Sequence, residues 1–177
     1  MRDLARIHRD RRRKRSPRLC TVHKFGGGSG RTAYRARVLS AVTLIRSSRL
    51  SDVAEYAYAA TAPAAARLIF LAGACPLNPD GTTAAIGDYA GQARVALDNL
   101  RTALDDAGAG LTDVISTRVL VASTHQSDLG TAWAVVRDAF GEHDPPSTLL
   151  GVTVLGYTDQ LVEIEAVAAV IDAGSAE

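Results

Sequence analysis

Two carboxylates set two residues apart, Glu163 and Glu165, are the clearest chemical feature of this chain. In an extended strand that spacing puts both on one face, with Val162, Ile164, Ala166 and Ala168 on the other. By itself the pair reads as charges on a solvated face. Pro145-Pro146-Ser147-Thr148 offers two hydroxyls to a ligand, although Ser, Thr and Pro are equally the residues of a turn. No histidine adjoins Ser147 to activate it, and His8, His23, His125 and His143 lack the spacing of metal ligands, so neither a serine nucleophile, a metal nor another cofactor is expected. Cys20 and Cys75 form no Cys-x-x-Cys pair and suggest no disulfide framework. Trp133 reads as a core aromatic or as a stacking surface. The run Gly26-Gly27-Gly28-Ser29-Gly30 lacks the Gly-Lys-Ser/Thr ending of a phosphate loop and reads as a linker.

The elements that must position these groups are legible from hydrophobic period. Val42 to Ile45, Glu55 to Ala60 with Tyr56 and Tyr58, and Arg67 to Ala72 are strand candidates that would form a meander. Pro63 marks the turn between the second and third, and Asp80-Gly81 closes another after Pro76. Asp88 is a helix N-cap, and Ala93, Leu97, Leu100 and Leu104 recur at helical spacing up to a stop at Gly108. Asp113 to Ser123 alternates as a half-buried strand, with Ile115, Val119 and Val121 on one face and Ser116, Arg118 and Leu120 on the other. A second helix over about 127–140 aligns Leu129, Ala132, Val136 and Phe140 before Gly141. Thr148 to Leu155 and Gln160 to Ile171 complete the set. Two helices with one apolar face each, beside five or six strands, predict an α+β domain with both helices on one side of a sheet. The other side, where Leu161 and Val167 accompany the glutamates, is apolar enough to suggest an oligomer interface.

Charge divides the 177 residues. Residues 1–50 hold 15 Lys/Arg and 2 Asp/Glu, whereas 51–177 hold 5 and 17, so the net charge of +1 hides halves of opposite sign. Residues 1–41, with the run Arg11 to Arg15, read as a basic, Gly-rich, disordered extension. It is either a nucleic-acid-binding arm or a segment ahead of a true start near Val38 or Val42. No aromatic interleaves with its main basic run, and the acidity of 51–177 argues against nucleic acid as a partner. No apolar run reaches the roughly 20 residues of a membrane-spanning helix, and none follows the N-terminal charges as in a signal peptide. A cytoplasmic protein is expected, with a folded domain over 42–173 and a short tail over 174–177.

Three segments in this order resemble the RidA (YjgF) family: IFLAGACPL over 69–77, GDYAGQARVALDNLRTALDDAGAGLTDVISTRVLVA over 87–122, and PPSTLLGVTVL with LVEIEAVA over 145–155 and 161–168. The resemblance implies a chorismate-mutase-like fold, a homotrimer whose sheets line a central barrel, clefts between neighbouring subunits, and hydrolysis of reactive enamines and imines. It implies further that Glu163, in the position of the family's Glu-Ile-Glu strand, orients the attacking water, while Glu165 is structural. Tyr58, with Tyr56 as the alternative, matches the family's cleft tyrosine. Gly73 and Ala74 fall on its Ser-Gly-Gln segment, Trp133 on its cleft asparagine, and Leu149 on a frequent cysteine. Backbone amides near Leu149 would polarise the departing nitrogen. Ser147, followed by Thr148, stands where deaminating relatives carry an arginine that clamps the substrate carboxylate. A bidentate guanidinium has no neutral substitute there, so the expected substrate is not a small 2-imino acid. The alternative implied by the same losses is a non-catalytic trimer that binds a small metabolite.

Overall fold

A computed structural model describes residues 40–51, 53 and 55–172. The basic extension and the short tail assigned from the sequence lie almost wholly outside them.

Among the described residues, six strands and two α-helices follow one another along the chain. Strands β1 (Thr43–Ile45) and β2 (Ala59–Thr61) pair antiparallel as a small sheet of their own. Strands β3 (Arg67–Phe70), β4 (Val114–Ala122), β5 (Ser147–Val152) and β6 (Val162–Val170) form the main sheet in the order β3-β6-β4-β5. Its pairs are antiparallel except β4 with β5, which run parallel across the helical crossover α2 (Gln126–Phe140). The remaining helix is α1 (Tyr89–Asp106).

The α1 boundaries follow their signals. Asp88 accepts from the Gly91 amide at 2.9 Å, satisfying one orphan donor of the first turn. At the other end Gly108 takes φ 75, its N–H meets Asp105 O, and the Ala109 N–H reaches back to Leu104 O at 2.8 Å. That double closure needs a left-handed residue, which glycine adopts without penalty. Leu97, Leu100 and Leu104 from α1, with Ala132 and Val136 from α2, then bury against Val119, Val121, Val162, Ile164 and Ala168 of the sheet. Both helices cover one face, so the domain is α+β as the sequence implies.

Four details differ from the sequence reading. Strands β1 to β3 do not form a meander, because β3 pairs with the C-terminal strand β6 instead of β2. Glu55 to Ala60 is not a strand: Glu55 sits at φ 54, a left-handed backbone that breaks extended pairing, so only Ala59 and Ala60 of that segment join β2. On β4 the core position predicted for Ile115 goes to Val114, since a bulge between Val114 and Ser116 leaves Ile115 as the extra residue. The last two strands are also shorter than expected, ending at Val152 and beginning at Val162.

The uncovered face of the main sheet carries Leu68 and Phe70 on β3, Val167 and both glutamates on β6, Arg118 and Leu120 on β4, and Leu150 on β5, as strand register requires. Phe70 is 76% exposed and Leu68 51%, large apolar groups left in water on a contiguous surface.

Candidate active site

Glu163 projects from the start of β6 on the uncovered face, opposite Leu120 of β4. What holds its carboxylate comes from two loops. In the first, the segment after β3 turns in to make a bridge between Ala74 and Ile164, which carries Gly73 over the Glu163 side chain. A Cβ at position 73 would overlap Glu163 Oε1 and stand 2.7 Å from its carboxyl carbon, so only glycine permits this approach. The second loop presents Gln160, whose Nε2 donates to Glu163 Oε2 at 3.0 Å. The Cys75 thiol also donates to Oε2, at 3.5 Å. Burial pushes that thiol up to about 11, with the charge of Glu163 and its hydrogen bond acting in the same direction and Gln160 opposing.

Helix α1 anchors both loops. Asn99 Nδ2 donates to the carbonyls of Cys75 (2.8 Å) and Leu77 (3.1 Å). Seven residues earlier, hence two turns away on the same side, Gln92 donates to Asp159 O at 2.8 Å and accepts from the Leu161 amide at 2.7 Å. Gln92 is fully buried and Asp159 adopts φ 58, so the amide side chain completes the backbone bonding of a strained loop. Neither Gln92, Asn99, Gln160 nor the Cys75–Glu163 contact emerges from the sequence reading. The available signal was a pair of carboxamides, 92 and 99, interrupting a helix flank otherwise built of Ala and Leu.

Two open grooves flank this point and share Phe70, Leu71 and Gly73. One, of about 280 Å³, runs past Arg118 and Glu165; the other, of about 460 Å³, runs past Cys75, Asn99 and Tyr157. Glu165 pairs with Arg118 at 2.5 Å, beside Thr148 in the register of β5.

The remaining sequence candidates gather elsewhere. Trp133 on α2 meets the edge of Tyr56, with ring centroids 5.8 Å apart, and both line a crevice with Pro145 and Ser147. That crevice holds about 10 Å³, no more than a water molecule. Its walls are tied by Arg137–Glu55 (2.6 Å), Arg46–Asp144 (2.5 Å) and the Ala57 amide on Asp144 O. Tyr58, the preferred cleft tyrosine, instead donates its hydroxyl to Ser51 O outside this cluster, so it is Tyr56 that joins Trp133. Ser147 Oγ is engaged by Thr117 Oγ1 at 2.7 Å and by Pro145 O at 2.9 Å. Thr148 is exposed, while Leu149 packs against the core and leaves only its backbone on the edge strand β5. Within one chain the structure therefore unites Glu163 with Gly73 and Ala74, and separately Trp133 with Ser147. Among the described residues no group of three His, Cys, Asp or Glu side chains is arranged to hold a metal ion, and no helix is long and apolar enough to cross a membrane.

The fold is shared with known proteins. A family model described as endoribonuclease L-PSP matches residues 47–170. The chain belongs to the RidA/YjgF family. A RutC family protein of Pyrococcus horikoshii is 35% identical over 104 residues, 59% of this chain and 80% of that relative. The 2-iminobutanoate/2-iminopropanoate deaminase of Escherichia coli K12 is 34% identical over 104 residues, 57% of this chain and 78% of the enzyme. Among solved structures, a Rid family protein of Yersinia pestis superposes with a TM-score of 0.66 at 24% identity, covering 73% of this chain and 99% of its own. A YjgF/YER057c/UK114 family member of Mycobacterium tuberculosis is 32% identical, with a TM-score of 0.50 over 73% of this chain and 99% of that one. The Glu163 loop system of this RidA/YjgF protein thus sits on the family's fold.

Proposed function

We propose that this protein hydrolyses reactive enamines or imines with Glu163 as the general base, on substrates without a small carboxylate. The observation that carries the reading is the half-buried Glu163 carboxylate laid against the Gly73 backbone, a glycine shared by a mostly apolar groove past Cys75 and Leu77 and a more polar one past Arg118 and Glu165. Glu163 takes a proton from water as the oxygen adds to the C=N carbon, and the π electrons move to nitrogen, which is protonated. The resulting carbinolamine loses ammonia as its C–N bond breaks and the carbonyl forms. The deaminase activity named for the E. coli relative supports this class of reaction.

The substrate limit follows from the carboxylate end. Ser147 occupies the clamp position and its hydroxyl is already bonded twice, while the cation nearest in strand register, Arg118, is held by Glu165. The reading includes a homotrimer with ligand clefts between subunits. The exposed Leu68 and Phe70 and the separation of the Trp133 and Glu163 clusters within one chain both support it. A cytoplasmic location accompanies it. The acidity of residues 51–177 weighs against a phosphate-backbone substrate, despite the ribonuclease wording of the family description.

The test is a coupled assay in which an amino-acid oxidase generates 2-imino acids and an amine oxidase generates imines without a carboxylate, including aromatic ones, and ammonia release is followed with and without the protein. Acceleration with aromatic or uncharged imines is expected. Saturable binding of a metabolite without acceleration of any imine would replace this reading with that of a ligand-binding trimer.

A further inference from the structure

The Glu163 carboxylate is held asymmetrically. Gln160 Nε2 and Cys75 Sγ both donate to Oε2, whereas among the described residues no hydrogen bond is made to Oε1, which lies against Gly73. We propose that Gln160 and Cys75 are positioning residues that divide this carboxylate into a held oxygen, Oε2, and a working oxygen, Oε1, the atom that takes the proton from water. This rests on the reading of Glu163 as the base.

Gln160 is suited to the task because its own orientation is determined. Its Oε1 accepts from the Tyr157 amide at 3.0 Å, and its Nε2 donates to Val162 O at 3.3 Å as well as to Glu163. A flipped amide would set its oxygen against a carbonyl and a carboxylate, two acceptors with no proton between them. At 4% exposure Gln160 has no bulk water as an alternative partner. The loop it rides is pinned at Asp159 and Leu161 by Gln92, so the clamp is anchored to helix α1.

Cys75 supplies the second donor from the opposite loop, pinned in turn by Asn99. Its Sγ lies 3.5 Å from Oε2 and 3.6 Å from Gly73 O, so the single S–H hydrogen is shared between them. A thiol pushed up to about 11 stays protonated through the neutral range, and so remains a donor instead of a second anion facing Glu163. Two donors on Oε2 leave the open lone pairs on Oε1.

Two measurements on the full chain test this. The first needs no substrate: alkylation of Cys75 by iodoacetamide across pH, quantified on the Cys75 peptide by mass spectrometry. The expected midpoint is about 11 in the parent. It should move down in Glu163→Gln, which removes the facing charge, and up in Gln160→Leu, which removes the one contact that favours the thiolate. An unchanged midpoint in Glu163→Gln overturns the contact, whatever the activity proves to be. The second uses an imine that the parent turns over. Gln160→Leu should lower kcat by about tenfold or more with little change in KM, and displace the acid limb of the pH profile. Cys75→Ala, a milder change that should fold, should lower kcat several-fold, and Cys75→Ser, which restores a donor, should recover most of it. If Glu163→Gln is inactive while Gln160→Leu and Cys75→Ala keep the parent pH profile and kcat, the division of labour falls and Glu163 stands as the base. If Glu163→Gln is as active as the parent, the functional reading falls, and the working-oxygen proposal with it.

Discussion

At the scale of single residues, Gly73 and Glu163 make the shortest glycine approach among the described residues, and the three atoms nearest a Cβ at 73 all belong to that one side chain, which Gln160 and Cys75 hold in place. Gly73→Ala should therefore destabilise by about 1–3 kcal/mol, as overpacking does. In a Glu163→Ala background the same change should cost almost nothing, since the obstruction is gone. Denaturant titration of the four species reads that coupling, and additive costs would mean that the loop moves instead of the carboxylate. For catalysis, Glu163→Gln should retain the fold yet slow imine hydrolysis by about 10²–10⁴. Glu165→Gln, which loses only a partly exposed pair with Arg118, should keep nearly parental rates in the same ammonia assay.

Elements transmit these constraints, and α1 does so most. Its Leu and Ala stripe secures the core, while its Gln92 and Asn99 flank fastens the two loops of the site. Gln92→Leu conserves bulk but leaves the Asp159 carbonyl and Leu161 amide without their partner, a loss of about 2–5 kcal/mol if each buried group costs its usual desolvation. Faster hydrogen exchange confined at first to residues 157–161 should accompany the drop in Tm. An equal loss spread over the whole sheet would show that Gln92 serves packing alone. By contrast, Asp88→Ala removes a single cap bond and should cost about 1 kcal/mol with no change at the site.

For the whole molecule, the open sheet face is the feature on which the proposed trimer rests. Phe70 stands three-quarters exposed beside Leu68 on edge strand β3, and Leu150 is 42% exposed on the opposite edge. Phe70→Glu should convert the proposed trimer to smaller species in sedimentation experiments. If clefts between subunits are the working sites, imine hydrolysis should fall together with the trimer in Leu68→Glu as well, at a position that lines neither groove beside Glu163. A trimer that persists with parental activity would place the interface elsewhere.

How much of this was legible in the sequence depends on how local the determining physics is. The α1 N-cap at Asp88, the stop at Gly108, the apolar stripes of both helices and the alternation of β6 are set by neighbours within a few residues, so the α+β layout and the face shared by Glu163 and Glu165 could be read directly. The glutamate chosen as the base was named on resemblance, and its surroundings agree with a held carboxylate. What the sequence could not disclose are contacts closed over long chain separations. Cys75 and Glu163 are 88 residues apart and Gln92 and Leu161 are 69 apart, and no periodicity connects them. Register was equally hidden, since pairing β3 with β6 and bulging β4 at Ile115 depend on how the layers fit once assembled. The same applies to the tyrosines: only the left-handed turn at Glu55 and the ties to Asp144 bring Tyr56, and not Tyr58, against Trp133. Composition and period thus determined which residues belong to which layer, whereas tertiary packing alone decided which side chains meet at the site.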